Sequence, residues 1–214
     1  MRGAAPDRVP SIVGRALAVL TAPTRAWDVI EAEPSSVPNL YLRLVAPLAA
    51  IPAICGFVGL LLFGVGVFDV GMRPPLGVAL AEMLAAYVLA LVEVYVLALI
   101  IDVLAPSFGG VRSRLQAFKL AAYSGTALWV SGVFLLYPPV GELLGLLGGL
   151  YSLYILYVGL PRMMSVVPQR RLSYFAVVLL AILVLSAVLG TVTTRIRDLG
   201  GPLRMAAALQ ALPT

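Results

Sequence analysis

The chain has 214 residues, 61% of them hydrophobic and only 12% charged, with a mean hydropathy of +1.02. A water-soluble domain is roughly half apolar and about a quarter charged, so this composition excludes a globule surrounded by water. The net charge of +5 does not point to nucleic acid, because the apolar body is unbroken and the placement of the basic residues matters more than their sum.

Histidine is absent, which removes the usual general base, the commonest metal ligand and the side chain that titrates near neutrality. The single cysteine, Cys55, sits in an apolar run and can build neither an internal disulfide nor a zinc site. It reads as a small apolar core thiol. The chain opens without a short apolar stretch and small-residue cleavage site, so no removable signal is expected.

Residues 1–8 are polar. From Pro10 to Ala22, Ile12, Ala16, Val19 and Leu20 fall on one helical face, with Arg15 to the side and Ser11 placed as an N-cap. Pro23 can open a second short helix in which Trp27 and Ile30 face one way and Arg25, Asp28 and Glu31 the other. Neither piece reaches the roughly 20 apolar residues that span a bilayer. Residues 10–33 are read as an interfacial pair lying along the headgroups, anchored by Trp27; the alternative is a soluble, partner-binding helix pair.

After a Pro/Ser loop, five apolar segments follow: about 42–67, 76–102, 115–137, 140–160 and 172–194. Pro47 and Pro52 lie inside the first. In the fourth, Gly141, Gly145 and Gly149 form a small-residue stripe that favours close helix contact. The fold expected is all-α, a polytopic bundle of five transmembrane helices. Its divisions are an interfacial segment (1–40), a membrane domain (41–195) and a short tail (196–214). Eleven lysines and arginines fall on the side of the N-terminus and the second and fourth links, against four on the other. This bias places the N-terminus in the cytoplasm and the C-terminus outside.

The second segment carries Glu82, Glu93 and Asp102. Glu93 is near mid-span, where a carboxylate costs about 2.5–3.5 kcal/mol on insertion scales, so it should face the bundle. Glu82 comes round to nearly the same face at ~100° per residue, and Asp102 to the opposite one. Lys119 enters the third segment from the same side as Asp102. The reading is a Glu93–Lys119 contact inside the bundle, with Asp102 capping its turn or pairing with Arg112 or Arg114. Tyr123 lies just beyond, and Tyr151, Tyr154 and Tyr157 form a row in the fourth segment that can hydrogen-bond across helices. The candidate polar cluster is therefore Glu82, Glu93, Asp102, Lys119, Tyr123, Tyr151 and Tyr154, serving either as polar glue or as an ion path. No Ser/His or Cys/His pair, metal-ligand cluster or phosphate loop is visible, and Phe108-Gly109-Gly110 is a turn. No catalytic residue, cofactor or metal is assigned.

Several blocks, in order, resemble bacterial members of the Yip (Ypt-interacting protein) domain family. They are Ala18-Val19-Leu20-Thr21-Ala22-Pro23-Thr24-Arg25-Ala26-Trp27, Ile101-Asp102-Val103-Leu104-Ala105-Pro106-Ser107-Phe108-Gly109-Gly110 and Gln116-Ala117-Phe118-Lys119-Leu120-Ala121-Ala122-Tyr123-Ser124. Leu150-Tyr151-Ser152-Leu153-Tyr154 and Gly159-Leu160-Pro161-Arg162-Met163-Met164 follow. The resemblance covers about residues 12–195. It implies five spans and a cytoplasmic N-terminus. Eukaryotic relatives are implied to bind prenylated GTPases, but this chain lacks their long N-terminal region and its Asp-Leu-Tyr-Gly-Pro-like motif, so GTPase binding is not carried over. The expectation is a non-enzymatic inner-membrane scaffold whose partners are the lipid bilayer and other proteins or its own copies, not nucleic acid. The alternative is a small transporter or channel using Glu93 and Lys119.

Overall fold

The computed structural model describes residues 12–64 and 74–210, with side chains for 13–64 and 74–195. The expected Ser11 cap, and Arg2, Arg8 and Arg73 of the charge count, lie outside the described residues. Two short helices, α1 (Ile12–Thr21) and α2 (Pro23–Ala32), are joined through Ala22 alone. Five longer ones have the length and composition to cross a membrane: α3 (Val37–Phe63), α4 (Leu76–Phe108), α5 (Arg114–Leu136), α6 (Pro138–Met163) and α7. The apolar stretch of α7 is Pro168–Arg195, and its helix continues unbroken from Arg171 to Gln210, through what the sequence suggested was a separate tail.

The bundle is apolar on its outside. On α4, Leu80, Leu84, Val88, Val92, Tyr95, Leu99 and Val103 form an exposed stripe, while Ala79, Glu82, Val94, Ala98, Ile101 and Asp102 are buried. A soluble helix would reverse this arrangement, so the surrounding medium is hydrocarbon. The charged residues give a ruler. Glu82 and Asp102 on α4, and Glu142 and Arg162 on α6, are each twenty residues apart. At 1.5 Å per residue that is ~30 Å, the thickness of a bilayer core. The two ends are called here the acidic end (Glu82, Glu142) and the basic end (Asp102 with Arg112, Arg162).

Helix α5 is central: 56% of its apolar window is buried, against at most 28% in the other spans. It is also the least regular. The α-helix stops at Ser124, resumes at Thr126 and tightens into a 3₁₀ turn over Gly132–Leu136. In hydrocarbon a freed backbone group needs a partner. The Leu128 amide finds one in Ser152 Oγ on α6, at 2.9 Å. A Cβ on Gly132 would stand 2.6 Å from Pro52 Cβ, so glycine there is required for α5 to reach α3.

The expected glycine stripe on α6 divides. Gly141 meets the backbone of Phe134 and Leu135, but a Cβ on Gly145 would touch nothing within 4 Å and one on Gly149 only Leu128 at 3.8 Å. The close approaches on this helix are at Gly141, Gly148 and Gly159. Spacing alone cannot tell a glycine that admits a neighbour from one that leaves space.

Candidate functional site

The two helices of the N-terminal pair pack on the bundle through their apolar faces. The pair folds into an acute helical hairpin docked against α5 and α6 at the basic end. Its inner face carries Ala16, Val19, Pro23, Ala26, Trp27 and Ile30, spaced at helical intervals. Trp27, expected as a surface anchor, is 0% exposed. Its indole Nε1 donates to the Ile155 carbonyl at 3.2 Å, and its ring meets Tyr123 edge-on with centroids 6.3 Å apart. Gly159 makes room for it: a Cβ there would stand 2.6 Å from Trp27 Cε2 and from Leu120 Cδ1.

Helix termini leave carbonyls without intrahelical partners. The bundle supplies donors to both. Lys119, 2% exposed, donates from Nζ to the carbonyls of Ile30 (2.7 Å), Glu31 (3.3 Å) and Glu33 (2.7 Å) at the end of α2. Gln116 Nε2, one turn earlier, adds a bond to Glu31 at 3.3 Å. The ammonium also sits where the negative end of the α2 dipole and the Glu31 and Glu33 side chains gather. At the end of α1, Tyr151 donates its hydroxyl to the Leu20 carbonyl at 2.7 Å. Arg15 pairs with Glu33 at 2.6 Å across the open side of the hairpin, and Asp28 pairs with Arg162.

The outward faces of the two helices differ. Exposed Val13, Leu17 and Ala18 make α1 apolar, whereas α2 presents Thr24, Arg25, Asp28 and Glu31. Tyr151 lies eleven residues from Arg162, so its bond to Leu20 seats the hairpin tip about three turns of α6, roughly 16 Å, from the basic end.

The seven expected cluster residues therefore separate into two groups. Lys119, Tyr123 and Tyr151 converge on the hairpin. Tyr154 stacks on Tyr151, with centroids 5.7 Å apart, and is half exposed on the outer surface. Tyr157, the third of the row, instead lies under the Arg171 guanidinium, 3.8 Å from the ring centroid, while Arg171 also bonds the Tyr157 carbonyl. Glu82, Glu93 and Asp102 are strung along α4. Asp102, 2% exposed, pairs through Oδ2 with Arg112 at 3.2 Å, and Oδ1 has no hydrogen-bond partner. Glu82 is buried at the acidic end beside a cavity that Glu142 and Thr193 also line. The expected Glu93–Lys119 contact is not formed. Lys119 is committed to α2, and Glu93 accepts a 2.9 Å bond from Ser186 on α7. Helix order misled the sequence reading: the carbonyls that Lys119 caps belong to a segment some 86 to 89 residues earlier.

Sequence reasoning also passed over Gln116, Ser186 and Gly159. Gln116 shares a face with Lys119, and Ser186 is an isolated hydroxyl inside an apolar span, as Glu93 is an isolated acid. Both signals were present but carried no information about partners.

Glu93 lines a cavity of about 440 Å³ between α4, α5, α6 and α7, at mid-depth in the bundle. Its walls are otherwise mainly leucine, alanine and glycine, with Ser124 and Trp129 on the α5 side and Ser152, which bonds the Leu128 amide, on α6. Among the described residues, no group of three His, Cys, Asp or Glu side chains is arranged to hold a metal ion.

Five apolar crossings, polar side chains turned inward and a hairpin seated at one end define a polytopic α-helical membrane protein. Residues 17–190 match the model of the Yip1 domain, and the chain belongs to that family. It is 31% identical over 173 residues to the inner membrane protein YohC of Escherichia coli K12 and, equally, to that of Escherichia coli O6:H1. The matches span 78% of this chain and 88% of those proteins. No solved structure matches.

Proposed function

We propose that this protein is a non-enzymatic organiser of a bacterial inner membrane, with its basic end in the cytoplasm. The supporting observation is where the polar side chains of the basic half are spent. Lys119, Gln116, Tyr151 and Trp27 all donate to backbone carbonyls, and together they hold the hairpin in the bundle. Polar groups used this way fix architecture and present a defined surface to lipid and to neighbouring proteins. An ion path needs groups free to exchange protons or ligands. With Lys119 held by the hairpin, the Glu93/Lys119 pair that a transporter reading requires is not together.

The test is photocrosslinking in native membranes from a probe at Val13 or Leu17, on the outward face of α1. Recurrent adducts to a particular protein, or to a second copy of this chain, support the organiser. Adducts to lipid alone, together with Glu93-dependent solute uptake in vesicles, overturn it in favour of transport.

A further inference from the structure

The cavity beside Glu93 stands apart from the hairpin and has no part in the organiser reading. We infer that it is a binding site for a lipophilic cation. Four observations converge. The cavity, about 440 Å³, falls within the ~300–1,000 Å³ of small-molecule sites. Leu146, Leu150 and Leu183, all exposed, lie at its edge between α6 and α7, so it opens sideways into hydrocarbon. Gly145 and Gly149 leave the space on the α6 side. Ser124, 5% exposed, lines it with an Oγ that has no hydrogen-bond partner among the described residues.

The charge decides the ligand class. Glu93 brings a carboxyl group to mid-span where, among the described residues, Ser186 donates to it and no lysine or arginine lines the cavity. A lipid tail would fill the volume but leave the Glu93 carboxylate without a counter-charge, at the cost that a buried charge carries. A bare metal or alkali cation would need a shell of oxygen ligands that leucine and alanine do not provide. An anion would meet the carboxylate. A cation shielded by hydrocarbon or aromatic groups satisfies the walls and the acid together. Trp129, which lines the cavity, offers the ring best suited to face such a charge.

The experiment is equilibrium dialysis of tetraphenylphosphonium against the full-length protein in detergent micelles, with protein-free micelles as the reference. Saturable binding is expected. Glu93→Gln should weaken it by at least roughly tenfold, about 1.4 kcal/mol. Gly145→Leu, whose Cβ meets nothing within 4 Å, should fill the cavity and abolish binding without disturbing the fold. Neutral triphenylphosphine oxide should not compete. Partitioning no greater than into empty micelles, equal binding by Glu93→Gln, or equal displacement by the neutral oxide overturns the inference. If Glu93→Gln does not fold, unchanged binding by Gly145→Leu overturns it instead.

Discussion

Lys119 Nζ lies 2.7 Å from the carbonyl oxygen of Ile30, and that bond joins the second turn of α5 to the end of a helix outside the spans. Three carbonyls share one ammonium there, none of which could find an intrahelical donor. Inside a bilayer the apolar packing of Trp27 and Ile30 gains little from leaving water, because lipid is equally apolar. Directional bonds and close packing therefore decide whether the hairpin stays seated.

Lys119→Met should release the hairpin while leaving the five spans in place. The substitution keeps the length of the side chain and strands the carbonyls at the end of α2, a cost of about 1–3 kcal/mol for a buried group left without a partner. Hydrogen exchange should rise across residues 12–33 and stay unchanged in α4. Unchanged protection of the hairpin would show that Lys119 does not hold it.

Trp27→Ala and Gly159→Val attack one contact from its two sides. Core Trp→Ala changes cost about 3–5 kcal/mol in soluble proteins, and Gly159→Val drives a side chain into the same ring. Because both remove the same packing, the double variant should be far less destabilised than the sum of the singles. Reversible unfolding in mixed micelles measures this; simple additivity would place the two residues in separate contacts.

The Arg15–Glu33 pair should respond to charge order. Side-chain exposure is 9% at Arg15 and 27% at Glu33, so the pair is only partly shielded from solvent. Arg15→Glu should open the hairpin, and adding Glu33→Arg should restore most of the loss. Proteolysis of the N-terminal segment reads both outcomes. Failure of the reversed pair to rescue would mean that Arg15 acts through its buried stem.

Orientation can be read directly. In a Cys55→Ser background, Glu142→Cys at the acidic end should react with an impermeant maleimide in intact cells. Ser107→Cys at the basic end should react only after permeabilisation. The reverse pattern would invert the membrane placement proposed above.

Much of the fold was readable because a bilayer imposes long apolar runs, and Pro138-Pro139 and Pro161 lie close to real helix limits. Arg112 was one of two arginines anticipated as partners for Asp102, beside a role in capping the turn, because a turn brings near neighbours together. The site was less readable. Lys119 and Glu93 lie on adjacent helices, so proximity in sequence suggested a pair. Lys119 instead meets the end of α2, and the docking of that helix leaves no local mark in the sequence. Trp27 shows the same limit: an amphipathic helix rimmed with charge looks alike whether its apolar face meets headgroups or a groove between helices. Gly145 and Gly149 show it again, since a missing side chain signals contact or vacancy equally well.

The hairpin also sets an order of events during synthesis. Trp27 bonds a carbonyl 128 residues further on, and Leu20 is held by a tyrosine 131 residues away. Until α6 has left the ribosome and entered the bilayer, neither partner exists. The two short helices thus wait on partners made long after them, and a nascent chain stalled before the fourth crossing would carry the hairpin with only its α5 contacts, the Trp27 indole and the Leu20 carbonyl still unclaimed.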